Sequence, residues 1–221
     1  MRFLFVAAYL GAAVPAVASA HDTLPDVRVA QGNLLYLAAD GQPRRLLADG
    51  LATDPVLSPD GSTVAFIHYD AKGAKDSTSL WLITVADGKV RSLFKSKPDD
   101  EPKRNMGTFD NPRFSLDGGY VYVDATAWTT SSAVHQISVK TGQERFVVDG
   151  WNNGIIREGP YRGSLLVGQH RYFQKPEPGS YNPVFVVRPN GDETMMVPGS
   201  DRDDGETSVA TWLEANGWSA W

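Results

Sequence analysis

The stretch DPVLSPDG, residues Asp54–Gly61, decides the fold, together with the apolar run VAFI at 64–67 that follows it. An apolar segment, a turn closed by Asp-Gly and a second apolar segment predict two antiparallel strands, because these turn residues accept the positive φ angles of tight hairpins. A second copy, NPRFSLDG at Asn111–Gly118, is followed by YVYV at 120–123. Two copies of one strand–turn–strand unit indicate a repeat architecture.

A second kind of turn recurs four times and sets the length of the repeat. Each turn lies between two apolar segments and ends in glycine, at Gly41, Gly88, Gly142 and Gly191. The turns are spaced by roughly 50 residues, an interval typical of β-propeller blades. The two kinds of turn together predict four strands per unit, which we label A to D. The first kind joins strand A to strand B, and the second joins strand C to strand D.

These segments resemble the WD-repeat-like propeller repeats of the TolB family. The match is good over 54–66 with its lead-in RRLL at 44–47, moderate over 111–123, where Leu116 replaces proline, and loose over 155–197. The resemblance implies a propeller fold and leaves function open, since the same repeat also occurs in peptidase accessory domains and surface proteins. We expect no room for the small α/β domain that precedes the propeller in TolB.

The predicted fold is all-β, a β-propeller of about four blades or an open propeller-like array, with a four-stranded antiparallel meander in each blade. One domain is expected over residues 21–221, with units at about 27–50, 52–95, 109–149 and 155–198. The first unit lacks an A strand. Val209–Leu213 is therefore predicted to be an orphan A strand that completes the first blade and removes exposed sheet edges.

The first twenty residues predict a cleaved signal peptide. Arg2 gives the positive start, an apolar core follows over 3–14, and Ala18-Ser19-Ala20 matches a cleavage site. Cleavage after Ala20 would send the protein to the periplasm or the medium. No other apolar run is long enough to span a bilayer. The chain has no cysteine, which excludes disulfides and thiolate metal sites.

Composition and motifs argue against several function classes. The net charge of −5 and the lack of a basic stripe disfavour nucleic-acid binding. No serine-hydrolase elbow, zinc-protease motif or phosphate-binding loop occurs, so no cofactor or metal is expected. The acidic loop Asp201–Glu206 does not have EF-hand spacing. A small hydrolase, a lyase or a carbohydrate binder stays as the alternative, if His68, His135 or His170 approach Asp70 or Asp124.

The candidate functional surface is the propeller face that carries the B–C and D–A connections, because these are predicted to be long and long loops on a rigid scaffold usually carry function. We call it the long-loop face. The predicted B–C loops are Tyr69–Ser79, Ala125–Ala133 and Tyr172–Asn182, and the predicted D–A loops are Lys95–Thr108, Gly150–Asn153 and Pro198–Ser208.

Aromatic and charged side chains on this face suit a contact surface better than a catalytic pocket. The candidate binding residues are Trp128, Tyr172, Phe173 and Tyr181 as anchors, with Lys103, Arg104, Asp203 and Asp204 as specificity contacts. The competing interpretation is that the aromatic rings pack between blades. The sequence thus predicts an exported, non-enzymatic interaction module with an envelope protein or peptide as its partner. It leaves the oligomeric state open.

Overall fold

The computed structural model describes residues 25–71, 77–174, 178–201 and 205–221. Within them the chain forms antiparallel sheets followed by one α-helix. The predicted signal peptide and the candidates Asp203 and Asp204 lie outside the described residues. No helix in the described ranges has the length and apolar character of a membrane span.

Sheet I has three strands in sequential order: β1 (Asp26–Ala30), β2 (Asn33–Leu37) and β3 (Pro43–Leu47). Gln31 and Gly32, with φ angles of 53° and 75°, form the tight turn between β1 and β2. Such a turn matches the twist of the two strands it joins. Leu34 on β2 is fully buried, which fixes the face of the sheet that packs against the next one.

Sheets II and III are complete four-stranded meanders. Sheet II comprises β4 (Ala52–Leu57), β5 (Thr63–Tyr69), β6 (Thr78–Thr84) and β7 (Val90–Lys95), and sheet III comprises β8 (Phe109–Phe114), β9 (Tyr120–Trp128), β10 (Ser131–Ser138) and β11 (Glu144–Asp149). Their A–B turns are built alike. In each, a serine hydroxyl donates to the turn aspartate at 2.6 Å, from Ser58 to Asp60 and from Ser115 to Asp117.

Sheet IV contains β12 (Trp151–Ile155), β13 (Leu165–Gly168), β16 (Val184–Val187) and β17 (Glu193–Met196). Between β13 and β16 the chain forms a separate two-stranded hairpin, β14 (Arg171–Phe173) and β15 (Gly179–Tyr181).

Two predicted loops are wrong, because the strands extend further than the turn residues indicated. In place of the loop Ala125–Ala133, β9 and β10 leave a tight turn at 129–130, and in place of Gly150–Asn153, a single residue separates β11 from β12.

The sheets pack on one another in chain order through successive apolar cores. Leu34 and Phe66 lie in the core between sheets I and II, Leu80 and Phe109 in the core between sheets II and III, and Tyr122 in the core between sheets III and IV. Each large side chain buried in this way stabilises the fold by about 1.5–3 kcal/mol. The A strands β4, β8 and β12 lie on the inner side of this array.

The predicted orphan strand Val209–Leu213 is wrong, because these residues lie in the helix α1 (Gly205–Ala215). Val209, Trp212 and Leu213 have helical spacing, and the helix places them together on the core of sheet IV. After Gly217, which has a φ angle of 66°, the chain end pairs with β12 through Ile155 N–H and the Trp221 carbonyl at 3.0 Å. The chain end therefore extends sheet IV and leaves sheet I with three strands, which gives an open propeller-like array.

Candidate functional site

The β14–β15 hairpin presents aromatic side chains on the long-loop face. Tyr172 is 69% exposed, more than any other large apolar side chain in the described residues, and Phe173 beside it is 39% exposed. Tyr181 on β15 lies 6.0 Å from Phe173 between ring centroids. The structure thus brings three of the four predicted aromatic anchors together on one paired element.

Local contacts hold Phe173 and the base of the hairpin in place. The Phe173 ring packs directly on Gly179, its cross-strand partner, where a β-carbon would lie within 2.5 Å of the ring. At the base of the hairpin, the Arg171 guanidinium pairs with Glu193 of β17 at 2.9 Å and lies 5.3 Å from the Phe185 ring. These contacts fix Phe173 within the hairpin and attach the base of the hairpin to sheet IV.

The basic candidates lie elsewhere, on the connection between β7 and β8. Lys103 and Arg104 belong to a short 3₁₀ helix, Pro102–Arg104, with no buried residue. Arg104 pairs with Asp99 at 3.2 Å and with Glu101 at 3.1 Å, so its charge is compensated within its own loop. Among the described residues, no hydrogen bond, ion pair or ring contact joins this loop to the hairpin.

Trp128 is not a loop residue. It is the last residue of β9 and pairs with Ser131 across the tight turn, where its side chain is half-buried. The residues of 125–133 predict a loop, because the alanine and threonine residues in this segment do not mark where the two strands end.

His68 lies on β5, His135 on β10 and His170 between β13 and β14, and each has a different partner. His68 Nε2 lies 2.9 Å from an Asp49 oxygen, His135 Nδ1 lies 2.5 Å from Glu144, and His170 Nδ1 lies 2.8 Å from Asn182. Within the described ranges, no group of three or more histidine or acidic side chains could hold a metal ion. The arrangement required for the enzymatic alternative, histidine beside Asp70 or Asp124, is not seen in this part of the chain.

The inner strands form a cleft that the sequence analysis did not single out. Each A strand carries a β-bulge, at Asp54-Pro55 in β4, at Asn111-Pro112 in β8 and at Asn152-Asn153 in β12. Asp54 and Asn111 have positive φ angles of 46° and 50°. Bulges also tolerate proline, which cannot donate to a strand ladder. Between β4 and β8 lies a cleft of about 560 Å³, lined by Asp54, Asp110, Arg113 and Trp221 among others.

Asp124 joins the inner strands of sheets III and IV. Its carboxylate accepts the Asn152 backbone N–H at 3.0 and 3.1 Å and the Asn111 side-chain amide at 2.7 Å. The same Asn111 amide donates to the Asn152 carbonyl at 2.8 Å. We call these three residues the inter-blade clasp.

Burial shifts the pKa values of the ionisable groups around the clasp. It raises the pKa of Asp124 to about 7 against the opposing effect of the hydrogen bonds. Burial, and secondarily the charge of Asp54, raise the pKa of Asp110. Burial lowers the pKa of the Arg113 guanidinium, which forms no ion pair in the described residues, while the charge of Asp124 acts in the opposite direction. The inner side of the array thus holds several incompletely compensated ionisable groups.

One signal in the sequence pointed to this inner side. An Asp or Asn followed by proline recurs at the same place in the segments 54–66 and 111–123, before an otherwise apolar strand. The dipeptide is incompatible with regular pairing at that point, so it marks a bulge.

No family model matches the chain, and no curated protein matches it either. Similar solved structures are β-propeller proteins. The dipeptidyl peptidase 4 of Porphyromonas gingivalis is 14% identical with a TM-score of 0.53, over 79% of this chain and 31% of that one. The β-propeller domain of the Trilobed protease from Pyrococcus furiosus, described as having an open velcro topology, is 12% identical with a TM-score of 0.51, over 73% of this chain and 48% of that one.

TolB from Acinetobacter baumannii is also similar, at 17% identity and a TM-score of 0.48, over 76% of this chain and 38% of that one. The chain therefore spans less than half of each of these proteins. Its four-stranded sheets, packed in chain order, together with the two likenesses above a TM-score of 0.5, define it as a β-propeller-like protein. At these identities the likeness concerns the fold alone, and the neighbours include both peptidases and TolB.

Proposed function

We propose that this chain is an exported, non-enzymatic module of the cell envelope that binds a protein or peptide partner through the β14–β15 hairpin. The observation that carries the proposal is the exposure of Tyr172 and Phe173 on a paired element fixed to sheet IV. Binding energy at protein interfaces concentrates in a few aromatic and arginine anchors. Rigid anchors lose little conformational freedom when they bind, which favours affinity.

Export is the first part of the proposal. If residues 1–20 are a signal peptide, the mature protein starts at His21. Intact-mass measurement of the protein recovered from the envelope fraction or the medium should give the mass of residues 21–221. Recovery of the full-length chain from the cytoplasm alone would contradict this part of the proposal.

Removing the aromatic anchors should abolish most of the binding. Interface anchors contribute about 2 kcal/mol or more each, and 1.4 kcal/mol corresponds to a factor of ten. The double variant Tyr172→Ala, Phe173→Ala should therefore capture at least about tenfold less of the partner from an envelope extract. Quantitative pull-down with the purified mature protein measures this loss.

Tyr120 offers a matched control. It is an aromatic residue with an exposed fraction of 41%, close to the 39% of Phe173, and it lies at the start of β9, next to the A–B turn and on the face opposite the long loops. Tyr120→Ala should leave capture unchanged. If Tyr120→Ala abolishes capture while the double variant retains it, the wrong face has been chosen. A double variant that fails to fold would instead place these rings in the core.

A further inference from the structure

Sheet I differs from the other three large sheets at its inner side. In the described residues it has three strands, whereas sheets II, III and IV each have four. The Ala52 N–H donates to the Gly32 carbonyl at 2.9 Å, so β1 ends beside the start of β4, on the long-loop face. β1 therefore runs in the direction of a strand B, and β2 and β3 follow it as strands C and D. The strand that these residues do not form is the inner strand A, which is β4, β8 or β12 in the other sheets.

The inner edge of β1 is accessible. Val27 and Val29 pack against the core between sheets I and II, but both remain partly exposed. In sheets II and III, the residues at the same two positions of strand B, counted from the C–D turn, are all buried under a strand A: Ala65, Ile67, Tyr122 and Asp124. The exposure of the two valines therefore marks the place where a strand A covers the other sheets.

The backbone of β1 offers hydrogen-bonding groups along this edge. The two-residue turn after Ala30 makes Ala30 part of a hydrogen-bonded pair with β2, and such pairs alternate along an antiparallel ladder. The N–H and C=O groups of Val27 and Val29 therefore point away from β2. The Val27 N–H donates to the Asp26 carboxylate at 2.8 Å, whereas the Val29 N–H has no hydrogen-bond partner among the described residues. Unpaired groups of this kind are a template for another strand.

Cleavage of the predicted signal peptide would take away the segment of the chain best placed to pair with this edge. In sheets II and III, five residues join strand A to strand B, at 58–62 and 115–119. Residues 21–25 have the same length, so a strand A supplied from upstream in the chain would lie before residue 21, in the segment that cleavage after Ala20 removes. The other end of the chain is engaged elsewhere, because the Trp221 carbonyl accepts the Ile155 N–H of β12.

We infer that the inner edge of β1 binds an extended segment of a separate protein, which pairs antiparallel to β1 in the place of strand A. Backbone hydrogen bonds hold an added strand of this kind, and alternate side chains give it specificity. In sheet II the residues opposite the two corresponding positions are Thr53 and Val56, both β-branched and uncharged. Because Val27 and Val29 are apolar, the added strand carries residues of the same kind opposite them. The inference rests on the export part of the proposed function and not on the β14–β15 hairpin.

A synthetic peptide that copies residues 51–58 tests this site on purified recombinant protein of residues 21–221. The peptide should bind saturably and slow the hydrogen exchange of the Val29 amide about tenfold or more, measured by NMR. The Arg28 amide, which pairs with β2, is the internal reference and should not change. A peptide that copies residues 108–115 carries Asp110 and Arg113 opposite the two valines and should bind about tenfold more weakly, because it brings charges to an apolar position.

Methylated peptides separate backbone pairing from other modes of binding. In the copy of 51–58, a methyl group on the Thr53 nitrogen removes a donor that faces strand B, whereas one on the Ala52 nitrogen removes a donor that points away. The first should weaken binding about tenfold, and the second should leave it nearly unchanged. In the protein, Val29→Pro removes the N–H at the edge and should weaken binding about tenfold, whereas Val29→Ala keeps the N–H and should weaken it less.

Four results would overturn the inference. They are no saturable binding of the 51–58 copy, equal binding of its two methylated forms, a Val29 amide that is already protected in the free protein, and a dimer of the free protein that dissociates on Val29→Pro. The third result would place the chain's own residues on the edge, and the fourth would place a second copy there. Because the protein is produced without residues 1–20, failure of export in cells and failure of peptide binding are separate results.

Discussion

Deletion of residues 205–221 should leave a protein that no longer unfolds in a single cooperative transition near the temperature of the intact chain. The deletion uncovers the core of sheet IV, where Ile156, Leu166 and Val186 are almost completely buried. Each exposed side chain costs about 1.5–3 kcal/mol, and a whole domain has about 5–15 kcal/mol of stability. Calorimetry of the intact and truncated mature proteins measures the difference.

Point variants separate packing from chain length in this experiment. Trp212 lies 5.3 Å from Trp218 and 6.2 Å from Tyr161 between ring centroids, in the cluster that covers sheet IV. Trp212→Ala should lower the melting temperature by several degrees, while Trp212→Phe, which keeps an aromatic ring, should lower it by less. An unchanged melting temperature after the deletion would mean that the helix does not stabilise sheet IV.

Replacing Asp124 should have the next largest effect, because it removes the acceptor of the inter-blade clasp. Asp124→Ala leaves the Asn152 N–H and the Asn111 amide without this partner, at about 1–3 kcal/mol for each group. The free energy of unfolding should therefore fall by about 2–6 kcal/mol. Asp124→Asn keeps one acceptor oxygen and should lose roughly half as much. Urea unfolding at one pH compares the two variants.

The pKa of Asp124 predicts how the stability difference between the native protein and Asp124→Asn changes with pH. The pKa of Asp124 is about 7 in the folded protein, above its value of about 3.9 in an unfolded chain. The folded state therefore holds the proton more tightly, so this group stabilises the fold fully below pH of about 4 and loses that contribution as the pH rises through 7. The stability advantage of the native protein over Asp124→Asn should grow from pH 8 to pH 5. A constant or shrinking difference would contradict the burial of this carboxyl.

The repeated turns made the sheets predictable from the sequence, whereas the structure of the chain end could not be predicted in this way. An Asp-Gly turn between apolar runs strongly favours a β-hairpin over other local structures, so the hairpin of β4 and β5 follows from local chemistry. The segment 209–213 is short and apolar, and such a segment fits a strand or a helix equally well. Its structure depends on the core of sheet IV, which Val209, Trp212 and Leu213 cover only when the segment is helical.

The candidate site was predictable only in part, for a similar reason. Tyr172, Phe173 and Tyr181 lie close in sequence, and the strands that join them bring them together. Lys103 and Arg104 come from another connection, where neighbouring acidic residues compensate the charge of Arg104. The clasp combines residues from β8, β9 and β12, so it depends on how two sheets pack. No local pattern around Asp124 reveals that packing.

The most direct test of the proposed binding function is photo-crosslinking from the hairpin in the cells that produce the protein. A photoreactive amino acid at position 172 should give a discrete adduct with one partner in the envelope fraction, and the adduct should weaken when Phe173→Ala is added. The same amino acid at position 120, which is 41% exposed on the opposite face, should give none. A discrete adduct from position 120 with none from position 172 would contradict binding through the β14–β15 hairpin.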